Sequence, residues 1–373
     1  MHMGITSSTG RAYAAKVLLR YLAALSSRVH GVRHEEDIEY VHQMRVASRR
    51  LRNALDLFAE ALPRKMQRRW MRQIRRVTKS LGAARDLDVQ MVALDKHLEK
   101  LNAPEDRKYQ AGAERLRLRL YQQRQAIQPR VVATMDRLED EAALEKMRES
   151  LMAMKVRARL DQTPESGRAL RHAANEVIRL RLEQMLAYEP FIHSPQHVEE
   201  LHAMRIAAKH LRYTMEAYAA VYEDRRKSQI KMVREIQTLL GDIHDTDVWL
   251  DFIPEFIDAE RERHAEFFGH LRGFLRIQDG LQRLYQDRKA KRDDLHKQFT
   301  KLWDRHAEES TWQQLRDSLT DDETADEEPI ETDTTSDPVS DGPTAAGQSA
   351  DGQGSSRRPT HGSDNPESGS DAA

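Results

Sequence analysis

The chain contains the stretch Val41-His-Gln-Met-Arg-Val-Ala-Ser-Arg-Arg-Leu-Arg52, which recurs later as Leu201-His-Ala-Met-Arg-Ile-Ala-Ala-Lys-His-Leu-Arg212. A second shared stretch follows in each copy, where Leu81-Gly-Ala-Ala-Arg-Asp-Leu-Asp-Val89 corresponds to Leu240-Gly-Asp-Ile-His-Asp-Thr-Asp-Val248. Position 41 thus corresponds to 201 and position 81 to 240, so the two offsets differ by a single position. Two matches that keep their register indicate that the chain is a tandem duplication.

Composition and periodicity predict an all-α fold around these repeats. Strong helix formers are abundant, Gly and Pro are sparse before the C-terminal region, and positions 1–320 show no alternation of period two. A turn-forming run at 163–167 predicts the linker between the copies. We predict helices near 11–29, 37–61, 64–81, 87–101, 105–127 and 130–160 in the first copy, and near 166–188, 196–220, 225–240, 246–260, 262–279 and 281–306 in the second.

Charge divides the chain into a basic body and an acidic tail. The segment 321–373 carries 14 acidic and two basic side chains, so the segment 1–320 has a net charge near +11 although the whole chain is near −1. The tail has few large apolar residues and is expected to be disordered, serving either as a spacer or as a competitor for the basic surface. We predict a flexible N-terminus at 1–10, a helical body at 11–320 with copies at about 11–160 and 165–306 and a closing segment to 320, and the tail at 321–373.

Several classes of protein are excluded by composition. The chain has no cysteine, which excludes disulfide scaffolds, thiolate zinc sites and cysteine nucleophiles. It has no apolar run long enough to cross a bilayer, and Met1–Gly10 lacks the apolar core of a secretory signal. We therefore expect a cytoplasmic protein with no membrane partner.

A row of basic side chains lies on the first repeated helix. With about 100° between successive residues, His42, Arg45, Arg49 and Arg52 fall within an arc of roughly 80°, beside the apolar face. A single row of this kind is usually a solvated surface. The same row recurs in the second copy, and neither row has regularly interleaved carboxylates. Both observations favour an anion-binding surface. The second copy has His202, Arg205, Lys209 and Arg212 at these positions.

The next helix of each copy repeats this pattern of aligned cations. Arg68, Arg72, Arg75 and Lys79 follow one another at spacings of four, three and four, which places them on one helix face. Clustered like charges repel one another, and a bound polyanion would relieve that repulsion. The second copy has Lys227, Lys231 and Arg234 at the first three positions and Thr238 at the fourth.

Arginine favours phosphate as the anion. Its planar guanidinium donates two parallel hydrogen bonds to phosphate oxygens and stays charged at any physiological pH. Rows of such groups suit a flexible polymer that carries a charge on every unit. Affinity for such a polymer comes largely from released counterions, so it should fall steeply with salt.

The paired motifs resemble the CHAD domain family, the conserved histidine α-helical domains. The resemblance rests on His42-x-x-Arg45-x-x-x-Arg49-Arg50-Leu51-Arg52, on Leu81-Gly-x-x-Arg85-Asp86-x-Asp88 and on their second copies, across roughly positions 10–306. It implies two four-helix bundles related by pseudo-twofold symmetry around a basic central groove or pore, binding of inorganic polyphosphate and association with polyphosphate granules. It implies these binding residues: His42, Arg45, Arg49, Arg50, Arg52, His202, Arg205, Lys209 and Arg212, joined by the neighbouring-helix cations Arg68, Arg72, Arg75, Lys79, Lys227, Lys231 and Arg234.

The histidines that begin the two basic rows have two interpretations. His42 and His202 are either hydrogen-bonded at the edge of the core or donate to phosphate in a charged form that a bound polyanion favours. Metal ligation is disfavoured because no second histidine follows at i+4 and the neighbouring arginines repel cations. We expect neither a metal nor a cofactor.

Paired aspartates follow the glycine of the second motif. We expect that glycine to end a helix and Asp86 and Asp245 to cap the next one. Pairing with the arginines of the basic rows, or binding Mg²⁺, are the alternatives. The four supporting residues are Asp86, Asp88, Asp245 and Asp247.

Two alternative functions would use the same basic surface. A nucleic-acid-binding module would hold a phosphodiester backbone, but aromatic residues are 6% of the chain and none lies inside the basic rows, so base stacking is disfavoured. An enzyme that processes polyphosphate is disfavoured because the sequence has no P-loop, no glycine-flanked serine nucleophile and no His-Glu-x-x-His signature. We expect no catalytic residue. His210 in place of Arg50, and Thr238 in place of Lys79, predict weaker binding by the second copy.

Overall fold

A computed structural model describes residues 3–34, 37–160, 164–223 and 225–324, and these residues form helices without any strand. The predicted all-α class is confirmed. Short 3-10 helices lie at Ala59–Ala61, Arg107–Tyr109, Glu189–Phe191 and Ala219–Tyr222. The α-helices are α1 (Met3–Thr6), α2 (Ser8–Ser26), α3 (Val29–Arg33), α4 (Ile38–Leu57), α5 (Arg64–Lys100), α6 (Gln110–Asp140), α7 (Ala143–Leu160), α8 (Pro164–Leu186), α9 (Val198–Tyr218), α10 (Lys227–Phe268), α11 (Phe274–Glu308) and α12 (Thr311–Thr324).

The apolar faces of α4 and α9 form the centre of the core. Met44 and Leu51 on α4, and Met204 and Leu211 on α9, are fully buried, as their spacing predicts. Helix α4 packs against α2 and α5, whereas α9 packs against α8 and α10. The two repeated helices also contact each other directly, so the basic rows beside their apolar faces lie on neighbouring helices.

The second motif of each copy lies inside a long helix rather than at a helix end. Helix α5 continues through Gly82 and α10 through Gly241, so the predicted breaks after positions 81 and 240 are wrong. A glycine inside a helix costs about 1 kcal/mol relative to alanine. Burial of the flanking residues Leu81 and Leu240 outweighs that cost.

Two prolines also lie within continuous helices. Pro129 is inside α6, where the sequence predicts a break between two helices, and Pro254 is inside α10. Proline removes one backbone hydrogen bond and disfavours a helix interior. The fully buried Val131 and Ile253 beside these prolines anchor the two helices at the interruption.

The N-terminal helix α1 packs against α8. Ile5 on α1 is buried, and a Cβ atom at Gly4 would overlap the carbonyl oxygen of Ala169 on α8. The Ser7 hydroxyl accepts a hydrogen bond from the Gly10 nitrogen at 3.1 Å and caps α2. Small residues thus let α1 lie directly on α8.

Helix α6 of the first copy joins α10 and α11 of the second. Gly112 and Gly280 allow the backbones of α6 and α11 to touch, since a Cβ at either position would overlap the other helix or the turn before it. The fully buried carboxylate of Glu260 on α10 accepts hydrogen bonds from Arg115 at 2.6 Å and from Arg119 at 3.0 and 3.1 Å. These contacts join α6 of the first copy to α10 and α11 of the second.

The C-terminal part of the described chain is a helix that closes the core. Trp312, Leu315 and Leu319 on α12 are buried, and α12 packs against α8 and α11. Helix α8 begins at Pro164, so most of the predicted linker is helical, while positions 161–163 lie outside the described residues. The predicted acidic tail lies outside them from position 325 onward.

Candidate functional site

Arg45 lies across the second motif of its own copy. A Cβ atom at Gly82 would be 3.7 Å from the Nε atom of Arg45, so the guanidinium lies against this position at ordinary contact distance. Nη2 of Arg45 donates a hydrogen bond to Oδ1 of Asp86 at 3.2 Å. Burial lowers the pKa of Arg45, and the Asp86 carboxylate opposes that shift. The Asp86 carboxylate thus orients one guanidinium.

The second copy repeats the placement of the arginine against the glycine. A Cβ atom at Gly241 would be 3.9 Å from Nε of Arg205. Burial lowers the pKa of Arg205, Asp245 opposes the shift, and Arg49 and Arg45 of the first copy reinforce it. Arginines from both copies are therefore close enough to act on one another.

Lys209 lies among cations of both copies. Burial is the largest cause that lowers its pKa to about 8, and Arg49, Arg205, Arg52 and Arg45 lower it further. The structure thus brings together basic residues that belong to different copies and are far apart in the sequence. We refer to Arg45, Arg49, Arg52, Arg205 and Lys209 as the cationic cluster.

The second aspartate of each motif holds a different arginine. Asp88 accepts a hydrogen bond from Nε of Arg124 on α6 at 2.9 Å, and Asp247 accepts one from Nε of Arg292 on α11 at 2.9 Å. Burial raises the pKa of both carboxyl groups, whereas the arginines oppose the shift. These two carboxylates therefore fasten the second motif to the neighbouring helix of the same copy.

The first aspartate of each motif is not a helix cap. Asp86 lies inside α5 and Asp245 inside α10, so the predicted capping role is wrong for both residues. The physical reason is the continuation of each helix through its glycine. The alternative of pairing with an arginine of the basic row is observed for Asp86 and Arg45.

The two predicted histidines have different partners. Nδ1 of His202 lies 2.9 Å from Nδ1 of His244, so one ring nitrogen donates and the other accepts. Burial, followed by Arg205 and His202, lowers the pKa of His244 to about 4. In the first copy Arg85 takes the place of His244 and, after burial, lowers the pKa of His42.

Arg85 and His244 are the site residues that the sequence prediction missed. They occupy the same position of the repeated second motif. The repeat was therefore a signal that could have identified them.

Glu216 neutralises part of the predicted site. Its carboxylate accepts a hydrogen bond from Nε of Arg50 at 3.2 Å and lies 3.7 Å from Nε of Arg212 and 3.6 Å from Nη2 of Arg234. Arg50 and Arg212, predicted to bind anions, are therefore engaged by a carboxylate of α9. Arg50 joins α4 to α9 and does not belong to the cationic cluster.

His210 makes the corresponding contact from α9 to α4. Its Nδ1 lies 3.1 Å from Oδ1 of Asn53. Burial, followed by Lys209 and Arg181, lowers the pKa of His210 to about 4, so it is neutral near pH 7. The presence of His210 at the position that corresponds to Arg50 thus changes a contact between helices. It is not evidence that the second copy binds anions more weakly.

The predicted cations of α5 and α10 are exposed, and one of them interacts electrostatically with the cationic cluster. Arg75 lowers the pKa of Arg52, after burial and Arg49. Nζ of Lys231 lies 4.0 Å from Oε1 of Glu235. The remaining predicted residues of this group are exposed on their helices: Arg68, Arg72, Lys79 and Lys227.

One aromatic side chain lies beside the basic rows, although none is a member of them. The guanidinium carbon of Arg212 lies 4.9 Å from the centre of the Tyr213 ring. Tyr213 also acts electrostatically on Arg45 and Arg52. Its ring is buried, so it supports arginines and offers no open face for a nucleobase.

Residues 16–254 match the family model of the CHAD domain. This match covers more than half of the chain. The chain belongs to the CHAD domain family. The matched region of this CHAD protein includes both basic rows and both glycine–aspartate motifs. Among the described residues there is no helix that could span a membrane and no cluster of three metal-ligating side chains.

Two solved structures have a similar fold. The crystal structure of the CHAD domain from the plant Ricinus communis is 23% identical, with a TM-score of 0.50 over 73% of this chain and 91% of that chain. PptA from Streptomyces chartreusis is 15% identical, with a TM-score of 0.54 over 79% of this chain and 99% of that chain. Identities this low support the fold alone. The search of curated proteins found no match.

Proposed function

We propose that this CHAD protein binds inorganic polyphosphate through the cationic cluster. The observation that carries the proposal is the position of Lys209 in the second copy among Arg45, Arg49 and Arg52 of the first. Such a concentration of like charge is unfavourable in the free protein. A polyanion would relieve it, and the partly buried guanidinium groups would strengthen each phosphate contact.

The proposed architecture is a pair of four-helix units related by pseudo-twofold symmetry that face one basic groove. Two matched sets of contacts support it. Arg45, Gly82 and Asp86 correspond to Arg205, Gly241 and Asp245. The Asp88–Arg124 pair likewise corresponds to the Asp247–Arg292 pair. In each unit the second motif thus links the basic helix to the next helices of the bundle.

The cations nearest the cluster form the proposed binding surface. Arg85 and Arg75 extend it along α5, and His42 and His202 lie at its start. Arg50 and Arg212 would contribute less, because they share the single negative charge of Glu216 with Arg234. Association with polyphosphate granules would follow from binding at this surface, and we propose no catalytic step.

A nucleic acid is a poorer fit to the same surface. It offers one charge per nucleotide on a bulky backbone, and its binding by single-strand proteins draws on aromatic stacking. Tyr213 is buried and cannot supply that stacking. Polyphosphate should therefore displace single-stranded DNA or RNA from the protein at low salt, and the reverse exchange should need a large excess.

Binding across a salt series tests the proposal. Arg45→Glu and Arg205→Glu should each lower the affinity for polyphosphate by about tenfold at low salt and reduce the salt dependence by about one charge. Arg148→Glu is the matched control, because Arg148 on α7 is exposed and pairs with Glu145 outside the cluster. Equal affinities of all three variants would refute the proposal.

Incubation of the protein with polyphosphate and Mg²⁺ should leave the length of the polymer unchanged.

A further inference from the structure

The hairpin between α10 and α11 ends in a group of exposed apolar side chains. Phe267 is 81% exposed, Leu275 69%, Phe268 51% and Leu271 39%. Phe267 and Leu275 are the most exposed large apolar side chains in the described part of the chain. We refer to these four residues as the apolar tip. Exposed apolar groups at this density indicate an interaction surface.

The apolar tip is held in place by its own hairpin. Gly269 ends α10 with a φ of 71° and donates its N–H to the Ala265 carbonyl oxygen at 2.8 Å. Nε2 of His264 hydrogen-bonds to the carbonyl oxygen of Arg272 at 3.0 Å. The ring of Phe268 lies 4.7 Å from that of His264. The structure therefore presents the apolar side chains on an ordered support.

The first copy has no equivalent of the apolar tip. Its hairpin between α5 and α6 contains Glu105, Asp106, Arg107 and Lys108, and its one large aliphatic residue, Leu101, is buried. A hairpin at this place in the fold thus does not require exposed apolar residues. The tip is a feature of the second copy alone within the described residues.

Basic side chains surround the apolar tip. Arg272, Arg276 and His270 are exposed on the hairpin, and Arg261 is exposed on the preceding turns of α10. The segment from Arg261 to Arg276 contains more arginines than carboxylates. Its carboxylates are those of Glu262 and Glu266. Phenylalanine and leucine between arginines match the acyl chains and the phosphate groups at the surface of an anionic bilayer.

The size of the patch favours a lipid surface over a protein partner. A stable protein interface buries about 1,200–2,000 Å² in total. Half of that total, about 800 Å², lies on each partner. Even at about 150–250 Å² for an aromatic side chain, four side chains that are only 39–81% exposed supply less than this together. A bilayer interface accepts a few inserted side chains and adds electrostatic attraction to the arginines.

We propose that the apolar tip inserts into the interfacial layer of membranes that contain anionic lipids. The expectation of no membrane partner rested on the absence of a spanning segment, and insertion of a hairpin tip needs none. The contact would be weak and reversible, because two phenylalanines and two leucines are a small anchor. It would place the protein on an anionic surface through a site distinct from the cationic cluster.

Flotation with vesicles tests this inference on the full chain. Vesicles of phosphatidylcholine and phosphatidylglycerol in equal amounts should carry the protein upward at low salt, and vesicles of phosphatidylcholine alone should not. Phe267→Ser with Phe268→Ser should reduce the bound fraction at least fivefold. Val156→Ser with Leu180→Ser is the matched control, since both residues are exposed and lie on α7 and α8. The comparison uses an Arg45→Glu, Arg205→Glu background, which removes attraction by the cationic cluster.

A fluorescent reporter distinguishes insertion from surface attraction. The four native tryptophans are buried, so Phe267→Trp adds one exposed indole. Brominated lipids should quench that added emission and leave the native emission unchanged. Equal flotation of the tip variant and the control, or no flotation of the wild type on anionic vesicles, would overturn the proposal. Concentration-dependent dimerisation that needs Phe267, without vesicle binding, would also overturn it and identify the tip as a self-association surface instead.

Discussion

Lys209 gives the proposed site a pH dependence that arginine would not. It occupies the position that Arg49 has in the first copy, and burial with its cationic neighbours lowers its pKa to about 8. A bound polyanion favours the ammonium form, so binding should take up a proton near pH 8 and affinity should fall from pH 7 to 9. Lys209→Arg should be up to about tenfold tighter than wild type at pH 9, because about a tenth of the lysines then remain charged.

Calorimetry in buffers of different ionisation enthalpy measures this proton uptake directly. The wild type should show a buffer-dependent enthalpy at pH 8, and Lys209→Arg should show much less. Parallel pH profiles for the two proteins would mean that Lys209 does not contact the polymer.

The histidine pair should respond at a lower pH. Burial lowers the pKa of His202, and that of His244 falls to about 4, so both rings are neutral at pH 7.5. His244→Arg would restore the residue that the first copy has as Arg85, add a permanent charge and raise affinity severalfold at pH 7.5. His244→Gln is the control and should leave that affinity unchanged, since it replaces a neutral ring.

The two histidines that begin the basic rows, His42 and His202, contribute to the acid response. A polyanion raises the pKa of nearby histidines, so affinity for polyphosphate should increase as the pH falls from 8 to 6. The double variant His42→Gln, His202→Gln should show a smaller increase in a binding titration at both pH values. If its ratio of affinities equals that of the wild type, the histidines have no role as phosphate donors.

At the scale of the helix, Gly82 lies against the guanidinium of Arg45, and neither the backbone nor the surrounding atoms require a glycine there. Alanine there would place a Cβ 3.7 Å from Nε of Arg45, an ordinary contact, and would improve helix propensity by about 1 kcal/mol. Gly82→Ala should therefore raise the free energy of unfolding in urea by up to about 1 kcal/mol and preserve binding. Gly112→Ala is the opposite case: its Cβ would overlap the backbone of α11, and we expect a loss of about 1–3 kcal/mol. Equal losses for both variants would contradict this distinction.

Local periodicity predicted which faces of the helices are buried, and tertiary packing decided where the helices end. Met44 and Leu51 are buried as their spacing requires, because side-chain direction on a helix is a local property. Gly82 carries a helix-ending signal, but α5 continues because Leu81 and Ala84 on either side are buried. That burial depends on partners distant in the sequence, which a local pattern does not contain.

At the scale of the whole molecule, the sequence identified the two basic rows but not which members share a cluster. Repetition at a nearly fixed offset indicated that the rows are equivalent. The engagement of Arg50 by Glu216 joins helices α4 and α9 of different copies, so no helical spacing could reveal it. Conversely, Arg85 and His244 stood at matching positions of the repeat and could have been recognised by alignment of the two copies.

If the proposed function is right, the contact between the copies predicts one binding site per chain rather than two. Arg50 with Glu216, and His210 with Asn53, fix α4 against α9, and cations of one copy lower the pKa of cations in the other. A polyphosphate that neutralises one basic row must then screen its neighbour. Native mass spectrometry with polyphosphate of one defined short length should show one polymer per protein. Arg45→Ala and Arg205→Ala should also be non-additive in affinity, because the two side chains interact. Two polymers per protein with independent, additive effects would instead mean that each copy binds alone, and the shared groove would be refuted.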